Sequence, residues 1–197
     1  MSMELNLVGS DKLPKGWVKL CLKDVRRGRS TTFNPARDPN ATLELYSVPS
    51  HETGKPEIVR SSEIGSSKQY VGVGDVLLSK INPRLNRSWV VGNHSNHPKI
   101  ASTEWIVFEK NKAVLSSFLQ YVLTDFRIRD YLSHNASGVG GSLTRVKPSL
   151  MDTIFIGLPP VDEQHRLVAK IEALFSELDK GCLLYTSDAA DEEDSVD

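Results

Sequence analysis

Leu158 to Gly181 reads LPPVDEQHRLVAKIEALFSELDKG, and this stretch divides the chain. Pro159 and Pro160 end whatever precedes them, because a proline ring fixes φ and supplies no backbone donor. Asp162 then offers a helix cap or a first-turn negative charge, and Glu163 adds another. Leu167, Ile171, Leu174 and Leu178 follow at spacings of four, three and four, the narrow seam one helix presents to another. The pattern predicts a helix from Val161 to Asp179, roughly 28 Å long at 1.5 Å per residue. Periodicity alone leaves two readings open: a spacer helix awaiting a partner, or an amphipathic helix packed on its own domain.

The 197 residues suffice for one domain with a core plus an appendage. Hydrophobic residues make up 39% and charged residues 25%, as in soluble globular chains. No apolar run reaches the ~18 residues of a membrane span. The opening MSMELNLVGSDKLPKGW lacks the basic-then-apolar layout of a signal peptide, so the expected location is the cytoplasm. Cys21 and Cys182 make neither a disulfide framework nor a metal site.

Charge is unevenly spread. Residues 1–150 hold 21 basic and 13 acidic side chains, whereas 151–181 hold 3 and 6. A basic domain is thus joined to a mildly acidic helix, which favours a polyanionic partner without naming it.

Turn signals and apolar alternation divide the domain. Trp17 anchors an N-terminal strand holding Val18 and Leu20, and Val25–Asn40 reads as a basic loop. Leu43–Pro49 is a predicted strand, and Ser50–Ser67 is polar with turns. Gly74-Asp75 launches the strand Val76–Lys80, and Trp89–Gly92 is another. Ile100–Glu109 holds a third, with Trp105 and Val107 on one face and Ile106 and Phe108 on the other. A helix is expected to start at Asn111 or Lys112 and to run through Phe126 with a broad apolar face, with a continuation through Ile128, Tyr131 and Leu132 left open. Asn135–Ser142 is a glycine-rich loop, Leu143–Ser149 a short basic segment, and Thr153–Ile156 a final strand. The expected class is α+β: a β-rich domain with one central helix, then the C-terminal helix.

Three basic clusters fall in predicted loops or at strand ends: Arg26, Arg27 and Arg29; Lys80, Arg84 and Arg87; and Arg145 with Lys147. Arginine can pair two donors with a guanine edge or a phosphate, and asparagine can do the same with adenine, so Asn82 and Asn86 join the candidates. Glycines at 138, 140 and 141 would let backbone approach a duplex closely. Such clusters can also be merely solvated loops.

The motifs occur in a telling order: Gly74 to Lys80 (GDVLLSK), Ala101 to Val107 (ASTEWIV), an amphipathic segment over Ala113–Tyr131, the basic glycine-rich loop Ser137–Lys147, and Ile156 to Gln164 (IGLPPVDEQ). Together with Leu13-Pro14-Lys15-Gly16-Trp17 at the start, this set resembles the specificity subunits of Type I restriction-modification systems over nearly all of residues 13–181. The resemblance implies a target-recognition domain over 1–157 and the start of a conserved coiled-coil spacer helix over 158–181. It implies recognition of one half of a bipartite site on double-stranded DNA, with no catalysis and no cofactor in this chain. Chemistry would lie in partner subunits: a methyltransferase using S-adenosylmethionine and an endonuclease using ATP and Mg. Leu167, Ile171, Leu174 and Leu178 would pair with a second helix, such as that of a second specificity half.

The segment Cys182–Glu192, CLLYTSDAADE, resembles the translation of a transposase-based sequencing adapter. Residues 182–197 are therefore expected to be non-native, disordered and irrelevant to the fold, with the natural reading frame continuing beyond this one.

Enzyme readings fare poorly. The glycines of Tyr70–Asp75 (YVGVGD) precede a strand, whereas a nucleotide-binding turn opens a helix. There is no phosphate-binding G-x-x-x-x-G-K-[ST] loop, no methylation motif of the Asn-Pro-Pro-Tyr type, and no nuclease signature. His94 and His97 lack further ligands for a zinc site. Two alternatives to DNA binding stand: a protein-interaction module acting through its exposed C-terminal helix, and a small enzyme with an unrecognised site. Convergence of the basic loops on one face would favour DNA.

Overall fold

The computed structural model describes residues 4–8, 13–28, 31–138 and 143–193, with 181–193 as helical backbone only. Its strands are β1 (Leu5–Asn6), β2 (Val18–Cys21), β3 (Thr32–Phe33), β4 (Thr42–Tyr46), β5 (Glu57–Arg60), β6 (Lys68–Tyr70), β7 (Val76–Ser79), β8 (Ser88–Val90), β9 (Lys99–Ser102), β10 (Trp105–Phe108) and β11 (Ile154–Leu158). The helices are α1 (Ser116–Leu123), α2 (Phe126–His134) and α3 (Val161–Glu193). They make an α+β fold, and no helix of the described residues is long and apolar enough to cross a membrane.

The antiparallel sheet β10-β7-β8 is the middle layer, with Trp105 opposite Ser79 and Phe108 opposite Val76. Strand alternation sends successive side chains to opposite faces, and here both faces are buried. Val76, Leu78, Ile106 and Phe108 face a core shared with Leu119, Leu123, Ile128 and Leu132 of the helices and with Ile154 and Ile156 of β11. Leu77, Trp105, Val107 and Trp89 face the other way, against Tyr46 and Ala101 of the five-stranded sheet β3-β6-β9-β4-β5. Burying each large apolar side chain contributes about 1.5–3 kcal/mol, so these two layers carry most of the fold's stability. A third sheet, β1-β11-β2, leads into α3, and a Cβ at Gly157 would stand 3.0 Å from the Trp17 ring that packs there.

Several expectations need correction. Ile100–Glu109 supplies two strands in different sheets, because the chain turns at Thr103-Glu104. The Gln69 amide holds that turn, donating to Ser102 O and Trp105 O, each at 2.9 Å. The single central helix is two helices. Asn111 makes a tight turn instead of a helix start, its Oδ1 accepting from Ala113 N and Val114 N. The chain then breaks again at Asp125, whose carboxylate caps α2 through Arg127 N at 2.8 Å. Strands β3 and β5 fall where the sequence reads as loop or polar segment, and β1 precedes the first predicted strand.

The C-terminal helix begins where the prolines predict, with Asp162 and Glu163 in its first turn. Its helical backbone runs past Gly181 to Glu193. A glycine inside a helix costs only about 1 kcal/mol and need not stop it. Its foot packs on its own domain, with Val168 buried and Leu167 partly buried in the helix-lined core. Beyond that point Ile171 is half-buried, Leu174 and Leu178 are exposed, and Phe175 stacks on Tyr121 of α1 at 6.3 Å. The reading of a helix packed on its own domain thus holds for its first turns, while its later apolar positions are exposed.

Candidate nucleic-acid interface

The strand β7 ends at Ser79, and Lys80 stands where three segments meet. Its N–H donates to Glu104 O in the β9–β10 turn, and its carbonyl accepts from Val146 N in the basic segment, both at 2.9 Å. The following loop is pinned to the same segment: Asn82 N donates to Thr144 O at 2.8 Å, and Asn82 Oδ1 accepts from Thr144 N at 3.1 Å. Asn82 and Asn86 have φ of 46° and 49°, a left-handed backbone that asparagine tolerates better than most residues. Between them Pro83–Leu85 forms one tight helical turn, and Asn86 Nδ2 reaches across to Thr124 O at 2.6 Å.

A cleft of about 300 Å³ opens along the outer edge of β10. Arg26, Arg27, Gly28, Lys80, Thr103 and Pro148 line it together with β10 itself. Arg145 stands beside it, paired at 2.9 Å with Glu104 of the same turn. Members of all three sequence clusters (Arg26 and Arg27, Lys80, and Arg145) therefore come together here, whereas Lys147 lines a separate hollow with Asn135 and Leu150.

Their side chains are not equivalent. Arg26 is bound to Asp152 at 3.0 Å. Arg27 is the centre of a largely buried network, with Nη2 2.9 Å from Asp75, Nε 2.7 Å from Glu109, and Nη1 donating to Tyr70 O. Asp75 in turn accepts from Gly72 N and Lys110 N, fixing the Gly74 turn, where φ is +90° and a Cβ would meet the Lys110 side chain at 2.6 Å. Arg26, Arg27, Asn82 and Asn86 thus spend their side-chain polar groups inside the protein. Arg87 pairs with the exposed Glu52 at 2.6 Å. Arg84 and Lys147 are exposed and have no side-chain partner among the described residues. Arg29 lies outside the described residues. Lys80 is half-buried, and burial pushes its ammonium below the usual lysine range; Glu104 pulls it back up and Arg145 pushes it down.

Gln164 escaped the sequence reading as a residue with a task. It is fully buried at the foot of α3. Its Oε1 accepts from Leu115 N at 2.8 Å, and its Nε2 donates to Ala113 O at 2.8 Å and Pro159 O at 2.9 Å. One side chain therefore ties the start of α1, the proline pair and the start of α3. The available signal was a polar residue three and four positions before Leu167 and Val168, on the stripe that the helix buries.

A second polar cluster lies in the five-stranded sheet. Glu44 is fully buried, accepting from Tyr46 Oη at 2.8 Å and Ser95 Oγ at 2.6 Å, with Lys99 Nζ at 3.4 Å. Burial alone would raise its carboxyl, but those hydrogen bonds and the Lys99 charge outweigh it and hold the group below the usual carboxylate range. The cluster anchors the exposed turn that carries His94 and His97.

Comparison with known proteins follows the same lines. The family described as Type I restriction modification DNA specificity domain matches residues 14–183. The HsdS subunit from Thermoanaerobacter tengcongensis superposes with a TM-score of 0.77 at 23% identity, over 94% of this chain and 48% of that one. A chain from a structure describing complex assembly and conformational transition of a type I R-M system gives 0.76 at 24% identity, over 93% and 48%. The S subunit from M. genitalium gives 0.52 at 11% identity, over 91% and 43%. The chain thus spans about half the length of the solved structures it matches. No curated protein matches it at a significant level.

Proposed function

The chain belongs to the family of Type I restriction-modification DNA specificity domains, and from that premise we propose that it binds double-stranded DNA and reads one half of a bipartite target. The observation that carries this reading is that Arg26, Arg27 and Lys80, from separate stretches of the chain, line one cleft, with Arg145 paired to Glu104 beside it. Scattered charges would have suited a solvated surface; converging ones suit a polyanion. Arg84, Arg87, Arg145 and Lys147 are the outward-facing candidates for contacts, and phosphate contacts would set the register in which base edges are read. Arg26, Arg27, Asn82 and Asn86 would act one step back, by shaping the loops.

The domain would supply no catalysis and need no cofactor of its own. It would position a methyltransferase subunit using S-adenosylmethionine, and an endonuclease subunit using ATP and Mg, in the cytoplasm. Leu174 and Leu178, exposed on α3, would be covered by a second helix.

Fluorescence anisotropy with labelled duplexes of mixed sequence tests the reading. Binding should weaken with salt at a log–log slope of about −0.9 per neutralised phosphate. Absence of binding at low salt, or binding indifferent to salt, would refute it.

A further inference from the structure

We propose that Lys80 is a phosphate anchor: its ammonium, held at the β10-edge cleft, takes one phosphodiester of the duplex and fixes the protein's register without reading sequence. This rests on the DNA-binding reading and adds to it a named residue and a named chemistry.

The other basic side chains that line or flank the cleft, Arg26, Arg27 and Arg145, are paired. Arg26 has Asp152, Arg27 has Asp75 and Glu109, and Arg145 has Glu104. Lys80 alone among these is a half-buried cation with neither an ion pair nor a side-chain hydrogen bond among the described residues. Taking an ammonium out of water without a partner is unfavourable, and the fold does not let it escape. The residue's backbone is clamped on both sides, to Glu104 O and Val146 N. Burial accordingly depresses its proton affinity, and Glu104, whose Oε1 is held by Arg145 and whose Oε2 is buried without a hydrogen bond, only partly offsets this.

An arriving phosphate oxygen would supply the missing partner. The cleft, at about 300 Å³, has room for it. Thr103, exposed and lining the same cleft, offers a further hydroxyl donor. Gly28, which also lines the cleft, leaves space there, with nothing within 4 Å of where a Cβ would stand. The chemistry also says why the contact would be with the backbone and not a base. A lysine ammonium is a point charge without the planar fork that matches a base edge.

The test uses the full chain and a labelled duplex pool of mixed sequence, titrated between about 50 and 200 mM salt. Lys80→Met should flatten the log–log salt slope by about 0.9, the share of one phosphate, and weaken all sequences alike. Its thermal midpoint should stay level or rise, because an unpaired buried charge has been removed. Lys80→Arg should keep the slope. An unchanged slope in Lys80→Met overturns the assignment while leaving DNA binding intact. So does a fall of several degrees in the midpoint of both Lys80→Met and Lys80→Gln, which would make the lysine structural. If the parent protein shows no salt-dependent binding, the DNA reading itself fails and the anchor falls with it.

Discussion

Gln164→Met gives the sharpest test of how this domain is held to its helix. The substitution keeps the side chain's approximate volume, so no large cavity opens, but it removes three hydrogen bonds of 2.8, 2.8 and 2.9 Å at a site with no solvent exposure. It leaves Leu115 N–H, Ala113 C=O and Pro159 C=O without partners. An orphaned buried polar group costs about 1–3 kcal/mol. Backbone relaxation keeps each near the low end, so the expected loss is about 3 kcal/mol. For a chain of this size that corresponds to roughly 6–12 °C in thermal midpoint. Urea unfolding of the full chain measures it directly as a lower midpoint concentration with an unchanged slope. Gln164→Glu sharpens the test: a carboxylate there would face the Ala113 and Pro159 carbonyls, so its deficit should shrink as pH falls and the group protonates. A loss below about 1 kcal/mol in the methionine variant would mean the staple is not holding these elements together.

Arg27→Ala strands the buried Asp75 carboxylate and should destabilise by about 3 kcal/mol, whereas Arg84→Ala should leave the thermal midpoint unchanged and weaken DNA binding in anisotropy; the opposite ranking would refute the division into internal and outward arginines. Glu44 has a depressed carboxyl, so its contribution is present above the ordinary carboxylate range and is lost as pH falls through and below it; thermal melts from neutral to acid pH should show this loss, and Glu44→Gln should remove that part of the dependence. Leu174→Lys with Leu178→Lys should leave the domain's unfolding midpoint unchanged, because both side chains are exposed, but abolish any helix-mediated self-association seen by sedimentation.

The sequence made legible those features whose causes are local. The two-faced alternation of Trp105–Phe108, the turn at Gly74, the proline stop and the start of α3 each follow from a few adjacent residues, and the structure has all of them. What was hidden depends on partners far along the chain. β1 exists because Leu5 and Asn6 pair in parallel with Ile154 and Phe155. β5 is a polar edge strand with Ile58 exposed, so it lacks the apolar alternation that marks a strand. The split of Ile100–Glu109 needs Gln69, and the late start of α1 needs Gln164. For the same reason the basic clusters were visible as charge but not as roles: whether an arginine is free depends on carboxylates 35 to 126 residues away.

Those carboxylates order the basic residues by what it would cost to recruit them to a phosphate. Arg84, Lys147 and Lys80 have no anion to give up, so a phosphate is a net gain for each. Arg87 and Arg145 hold Glu52 and Glu104, but in pairs with one partner at least half open to solvent. Such pairs are worth about 0–1 kcal/mol, so exchange for a phosphate is nearly free. Arg27 cannot make that exchange. Asp75 is only 7% exposed in its side chain, and leaving it unpaired would cost about 3–5 kcal/mol, more than one phosphate contact returns. The salt slope should therefore respond to removal of Lys80, Arg84 and Lys147 first, and to Arg87 and Arg145 next. Any loss of binding in Arg27→Ala should appear only together with loss of fold. A DNA-binding surface built this way keeps its strongest ion pairs to hold the loops still and leaves its loosest cations to meet the duplex.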